Sequence, residues 1–204
     1  MDTIFTVTNS DLAKFDARGS VDIFRELLWA EARHVGVPVS KVHVSSWINV
    51  PDGGVDAAVE ATENLVRANL IKAGFTTYQI KTGTSFEPWQ HAQIANELFG
   101  KGKPLDLEHL APRVRDCLNK DGTYVLVCFG QDPTQEQLNK AHENLRNALK
   151  GCRYENPKVE IWGQNNLLGF IKPFPSLALR INGVITLRFK HTEVGANSAT
   201  CRQI

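Results

Sequence analysis

Residues Tyr124-Val125-Leu126-Val127-Cys128-Phe129 form an unbroken apolar run of strand length. A strand with one wet face alternates apolar and polar side chains, so a run with no polar member predicts a central strand covered on both sides. That requirement narrows the fold to layered arrangements with helices on either face of a sheet. The sequence that follows supplies such a helix. With Asp132 as its cap and Pro133 at its first position, Leu138, Ala141, Leu145, Ala148 and Leu149 make a buried stripe that Gly151 ends. Residues 158–162 read as a further short strand, followed by an apolar segment through Leu167, Leu168 and Phe170 that Pro173 and Pro175 break.

The first half of the chain is richer in strands. Residues 1–19 lack periodicity and read as a lead-in. Ser20 fits an N-cap, Asp22 suits the positive end of a helix, and Phe24, Leu27, Leu28 and Val35 trace one helical face before Gly36. Residues 41–50 are rich in β-formers, and Pro51-Asp52-Gly53-Gly54 is a strong turn signal. Strands are expected over 55–61 and 75–82, with room for a short helix in 62–73. Helices are expected over 87–99, with Pro88 in the first turn, and over 107–118. A last strand over 185–189 and a tail after Lys190 complete the reading. The order α-β-β-β-α-(α)-β-α-β describes an α/β sandwich with a mixed central sheet flanked by helices.

The chain has 204 residues, 42% hydrophobic and 22% charged, as in soluble globular domains, and no stretch approaches the ~20 apolar residues of a membrane span. The first residues show neither a basic nor an apolar leader segment. Cys117, Cys128, Cys152 and Cys201 form no C-x-x-C pair, which suits free thiols in a reducing, cytoplasmic setting. The six histidines are scattered, so structural zinc is not expected. A net charge of +1 provides no global basic field, so any nucleic-acid contact must come from a local patch.

Chemistry concentrates on the second and third strands. Gln79 and Lys81 are two residues apart and share a strand face, while Ile80 points into the core. Strict alternation puts Asp56, Ala58 and Glu60 on one face and Val55, Ala57 and Val59 on the other. If the two strands pair as a hairpin, a carboxylate, an amide oxygen and an ammonium converge. Such oxygen donors, with the Ile80 backbone carbonyl as a further one, suit magnesium, and a neighbouring lysine can orient water or stabilise charge on a phosphate.

Gly53-Gly54-Val55-Asp56 followed by Gln79-Ile80-Lys81 resembles the Mrr-like branch of the PD-(D/E)XK restriction-endonuclease superfamily, in which glutamine replaces the usual acid before the lysine. The likeness covers roughly residues 20–170 and implies an αβββαβ core. More narrowly, Leu28-Trp29-Ala30-Glu31-Ala32, Pro51-Asp52-Gly53-Gly54-Val55-Asp56 and Pro173-Phe174-Pro175-Ser176-Leu177-Ala178-Leu179 are similar to the N-terminal nuclease domains of Avs-type anti-phage STAND proteins. No Walker-type ATPase motif occurs. The resemblance implies a lead-in over 1–19, a nuclease domain over 20–172, and an extension over 173–204 toward further domains of a larger protein.

The implied activity is a magnesium-dependent endonuclease, with manganese able to substitute, acting on double-stranded DNA as a phage-defence effector controlled by sensing modules or oligomerisation. Asp56, Gln79 and the Ile80 carbonyl would ligate metal, and Lys81 would serve the nucleophile and transition state. Family members often add a glutamate from the first helix. Glu31 lies inside the apolar stripe, where an acid is costly without a partner, and Glu26 lies just off it, so that assignment stays open between them.

Plainer readings exist for each residue. A Gln-x-Lys pair alone is ordinarily solvent-facing, Glu60 reads as a solvated strand-end acid, and Asp52 as a turn residue. Lys101, Lys103, Arg113, Arg115 and Lys120 form a loose basic region that could hold phosphates or merely face water. Trp89 reads as a packing residue at a helix start, His91 and His109 as surface histidines, and Cys128 as core. The rival functional classes are a catalytically silent PD-(D/E)XK domain used for DNA binding or assembly, and a resolvase-like or transposon-linked nuclease.

Overall fold

The computed structural model describes residues 3–45, 55–61, 65 and 70–183. A short 3₁₀ turn at Thr3–Phe5 leads to α1 (Asn9–Leu12) and the long helix α2 (Ala17–Val35), then β1 (Val42–Val44), β2 (Ala57–Ala61) and β3 (Gly74–Lys81). Helices α3 (His91–Phe99) and α4 (Pro112–Asn119) precede β4 (Thr123–Cys128), α5 (Gln135–Lys150) and β5 (Lys158–Trp162). Helices α6 (Gln164–Ile171) and α7 (Pro175–Ile181) follow. The strands lie in sequence order in one mixed open sheet. The pairs β1–β2 and β2–β3 are antiparallel, and β3–β4 and β4–β5 are parallel.

Every residue of β4 is buried, Thr123 at its start included, as the apolar run that follows it requires. Its side chains alternate between two cores. Val125 and Val127 join Tyr78, Ile80 and the α2 residues Phe24, Leu27 and Leu28 on one face, where α6 and α7 also pack. Tyr124, Leu126 and Cys128 join Ile94, Leu98, Val114 and Leu145 from α3, α4 and α5 on the other. The α/β sandwich with a mixed sheet is therefore observed. Among the described residues, no helix is long and apolar enough to cross a membrane.

Several boundaries move. Asp16, not Ser20, caps α2, accepting from the Gly19 N–H, and Ser20 is buried one turn inside the helix. Gly36 ends α2 in the left-handed conformation expected of it (φ 77°). Helix α5 starts at a reciprocal box of Thr134 and Gln137, not at Asp132 and Pro133, and Asp132 instead accepts from the Asn9 amide. Helices α3 and α4 begin later than expected, and Pro175 opens α7 instead of only breaking the preceding segment.

The lead-in and the start of the expected extension are not appendages. Leu12 and Leu177 belong to the α2-side core, and the Asn182 amide donates to the Ile4 and Thr6 carbonyls, tying the two together. The strand expected beyond residue 45, the turn at 51–54, most of 62–73, the strand at 185–189 and the tail lie outside the described residues.

Candidate active site

The third strand carries the expected polar pair on the face away from α2. Tyr78 packs edge-on against Phe24 of α2, with centroids 5.2 Å apart, so Gln79 and Lys81 must face the α3–α5 side. Lys81 sends its Nζ to Oε2 of Glu97 on α3 at 2.5 Å and lies 5.5 Å from the Phe86 ring centroid. Gln79 is buried, and its Oε1 has no hydrogen-bond partner among the described residues. A buried carbonyl-type oxygen without a donor is costly, and this one is separated by a single residue from Lys81 on the same strand face.

Asp56 arrives by a different geometry from the one alternation predicts. Its N–H donates to the Tyr78 carbonyl at 2.9 Å, although Ala57 is the register partner of Tyr78. Two residues of one strand thus face one residue of the next, as in a β-bulge. Val55 consequently joins the α3–α5 core, while Ala57 and Val59 join the α2-side core, so the expected grouping of Val55 with Ala57 and Val59 is broken at Asp56. The irregularity turns the carboxylate toward the neighbouring strand, where Oδ2 accepts the Ile80 N–H at 2.6 Å. Asp56 therefore meets the Gln79-Ile80-Lys81 segment at its middle residue.

The surroundings are strongly desolvated. Burial holds the Tyr124 phenol well above its ordinary pKa, with the Glu97 and Asp56 carboxylates adding to the shift, so a neutral hydroxyl lies within their field. Burial likewise pushes the Cys128 thiol up to about 12, against a smaller lowering by Lys81, and keeps it inert. The end of β3 is fixed from the β4 side. The Phe129 N–H donates to the Lys81 carbonyl at 2.8 Å and the Gln131 amide to the Thr84 carbonyl at 2.5 Å. Gly130 lies so close to Gly83 that a Cβ there would sit 1.9 Å from its carbonyl oxygen, a contact only glycine allows.

Neither candidate acid of the first helix joins this cluster. Glu31 is buried, but on the α2 side of the sheet, where its Oε1 accepts the Leu70 N–H at 3.4 Å and the Tyr78 hydroxyl donates to the Leu70 carbonyl. The apolar stripe that encloses Glu31 is the stripe that packs on Tyr78, so the same periodicity that singled it out carries it to the opposite face. Glu26 pairs with Arg180 of α7 at 2.8 Å. The helix acid near Lys81 is Glu97. It is at i+3 from the buried Ile94 and its side chain is 18% exposed, so the signal that drew attention to Glu31, an acid beside an apolar stripe, was present there too.

The lesser candidates fall mostly as their plain readings have it. Glu60 is exposed and paired with Lys41, His91 is exposed, and His109 contacts Asp106. Cys128 is core. Lys101 and Lys103 face solvent, and Lys120 lies over the Phe75 ring. Asp52 lies outside the described residues.

Comparison with protein-family models, with curated proteins and with solved structures finds no significant match to this chain.

Among the described residues, no group of three or more His, Cys, Asp or Glu side chains could hold a metal. The oxygen donors that do gather here are the Asp56 carboxylate, the Gln79 Oε1 and the peptide group of Ile80 between them. That set suits a hard cation that keeps several waters, and it does not suit zinc.

Proposed function

We propose that this chain is a magnesium-dependent endonuclease of the PD-(D/E)XK type acting on double-stranded DNA. The observation that carries this reading is the meeting of the Asp56 carboxylate with the Ile80 N–H, beside a buried Gln79 oxygen that lacks a donor and a Lys81 held by Glu97. Asp56, Gln79 and the Ile80 carbonyl would hold magnesium, or manganese in its place, which would supply Lewis acidity and charge neutralisation at the phosphodiester. The α-β-β-β-α-β order, shared with the restriction-endonuclease-like core, supports the same reading.

The chain's own groups have separable tasks. Lys81 Nζ donates to the water that attacks phosphorus and gives up its proton to solvent, or to the phosphoryl oxygen on which charge grows as the P–O ester bond breaks and the departing oxygen takes a proton from water. Glu97 and the Phe86 ring restrict where that ammonium can be, which lowers the cost of orienting it at reaction. Desolvation by the Tyr124–Cys128 strand strengthens both interactions. Glu31 has no part in this scheme. The biological role that fits is an effector of bacterial anti-phage defence in the cytoplasm, restrained by further domains or by oligomerisation.

Two observations favour a second reading, a catalytically silent domain used for DNA binding or assembly. Gln79 carries no charge and the Lys81 ammonium is already engaged by Glu97. Incubation of supercoiled plasmid with magnesium or manganese decides between them. Nicked and linear products from the wild type and none from Lys81→Ala are expected. DNA binding with no cleavage by the wild type in either metal would establish the silent domain instead.

A further inference from the structure

Asp56 also lines a cleft of about 480 Å³ at the β1 edge of the sheet. Arg25 and Trp29 of α2, His43 and Ser45 of the β1 segment, and Arg113 of α4 share its wall. The two arginines differ in kind. Arg25 is fixed in place, its Nη1 2.6 Å from Asp22 and its Nη2 donating to the Ser45 carbonyl at 3.1 Å, so its charge is largely answered within the protein. Arg113 is exposed and makes no hydrogen bond or ion pair with any described residue. Of the basic residues that cluster in sequence between 101 and 120, Arg113 is the one that lines this cleft.

A guanidinium with no partner among the described residues and an immobilised one, lining the same cleft as Asp56 of the proposed metal site, suit a phosphodiester chain better than a neutral ligand. Guanidinium groups match phosphate oxygens in geometry as well as charge. We propose that this cleft seats the DNA backbone beside the scissile bond, with Arg113 contacting a phosphate directly and Arg25 forming the rigid wall behind it. The proposal rests on the nuclease reading and names how its substrate lies: the strand enters along the β1 edge between α2 and α4.

The test measures binding of a fluorescein-labelled DNA duplex by anisotropy over a series of salt concentrations. Calcium replaces magnesium, so that binding is read without turnover. Arg113→Ala should weaken binding roughly three- to tenfold and reduce the slope of log K against log salt by about 0.9, the value for one lost phosphate contact. Lys101→Ala, which alters an exposed charge outside the cleft, should change neither. Because Arg113 is exposed and has no partner among the described residues, the variant should unfold at the wild-type temperature. An unchanged slope for Arg113→Ala, or an equal fall for Lys101→Ala, overturns the cleft assignment while plasmid cleavage by the wild type still upholds the nuclease. If the wild type neither binds the duplex nor cleaves plasmid, both fall together.

Discussion

Lys81→Ala separates catalysis from folding because the structure lets each loss be gauged. The Lys81 and Glu97 side chains are 24% and 18% exposed, so their pair is neither fully wet nor fully buried. Exposed pairs contribute ~0–1 kcal/mol, and breaking a buried one costs ~3–5 kcal/mol, so an intermediate loss of about 1–2 kcal/mol of stability is expected here. Most of it reflects the Glu97 carboxylate left without its cation beside Tyr124 and Cys128. The loss expected in the proposed cleavage is larger: removing one preorganised electrostatic stabiliser costs ~10²–10³ in rate, about 2.7–4 kcal/mol of barrier. Urea unfolding measures the first quantity and single-turnover plasmid cleavage the second. In the double variant Lys81→Ala with Glu97→Ala, part of the stability should return because no lone carboxylate remains, whereas cleavage should stay absent. Cleavage at the wild-type rate by folded Lys81→Ala would show that the chemistry lies elsewhere.

Glu97→Gln should lower the cleavage rate about 10–100-fold with duplex affinity unchanged, since it loosens Lys81 without removing it; an unaltered rate would deny Glu97 a positioning role. Asp56→Asn preserves an acceptor for the Ile80 N–H, so calorimetric titration with manganese should show lost metal binding in a protein of near-native stability. Gln79→Glu adds a charge at a buried oxygen, and its unfolding temperature should rise more on adding magnesium than that of the wild type. Glu31→Ala should cost ~1–3 kcal/mol through the Leu70 N–H it leaves unpaired, yet cleavage per folded molecule should not change. Stability should also fall in alkali. Burial raises Cys117, Cys128 (to about 12), Tyr78 and Tyr124, so their contribution is complete below the ordinary ionisation range of these groups. It is lost as pH rises and the unfolded chain ionises first. Equal urea midpoints at pH 7 and pH 10 would contradict this.

The sequence by itself determined the layer architecture. Six consecutive apolar residues at 124–129 admit only a strand covered on both faces. The stripe Leu138, Ala141, Leu145, Ala148 and Leu149 supplies one cover and Phe24, Leu27 and Leu28 the other. Period-two spacing likewise placed Gln79 and Lys81 together and Ile80 apart from them, because a regular central strand has no freedom to do otherwise. Tertiary structure decided what periodicity cannot encode. An acid in an apolar stripe is visibly in need of a partner, but the stripe does not say which face of the sheet its helix will cover. Glu31 therefore lies against Tyr78 and Leu70, and Glu97, with a similar signature, reaches Lys81. Asp56 illustrates the other limit. Alternation assigns it a face, and an irregularity at the Asp56–Ala57 pair overrides that assignment, since two residues set against the single residue Tyr78 shift the phase of the strand. Helix starts moved for a related reason: Asp16 and Thr134 displaced Ser20 and Asp132 because the chain caps a helix wherever packing begins it, and several capping residues stood within reach.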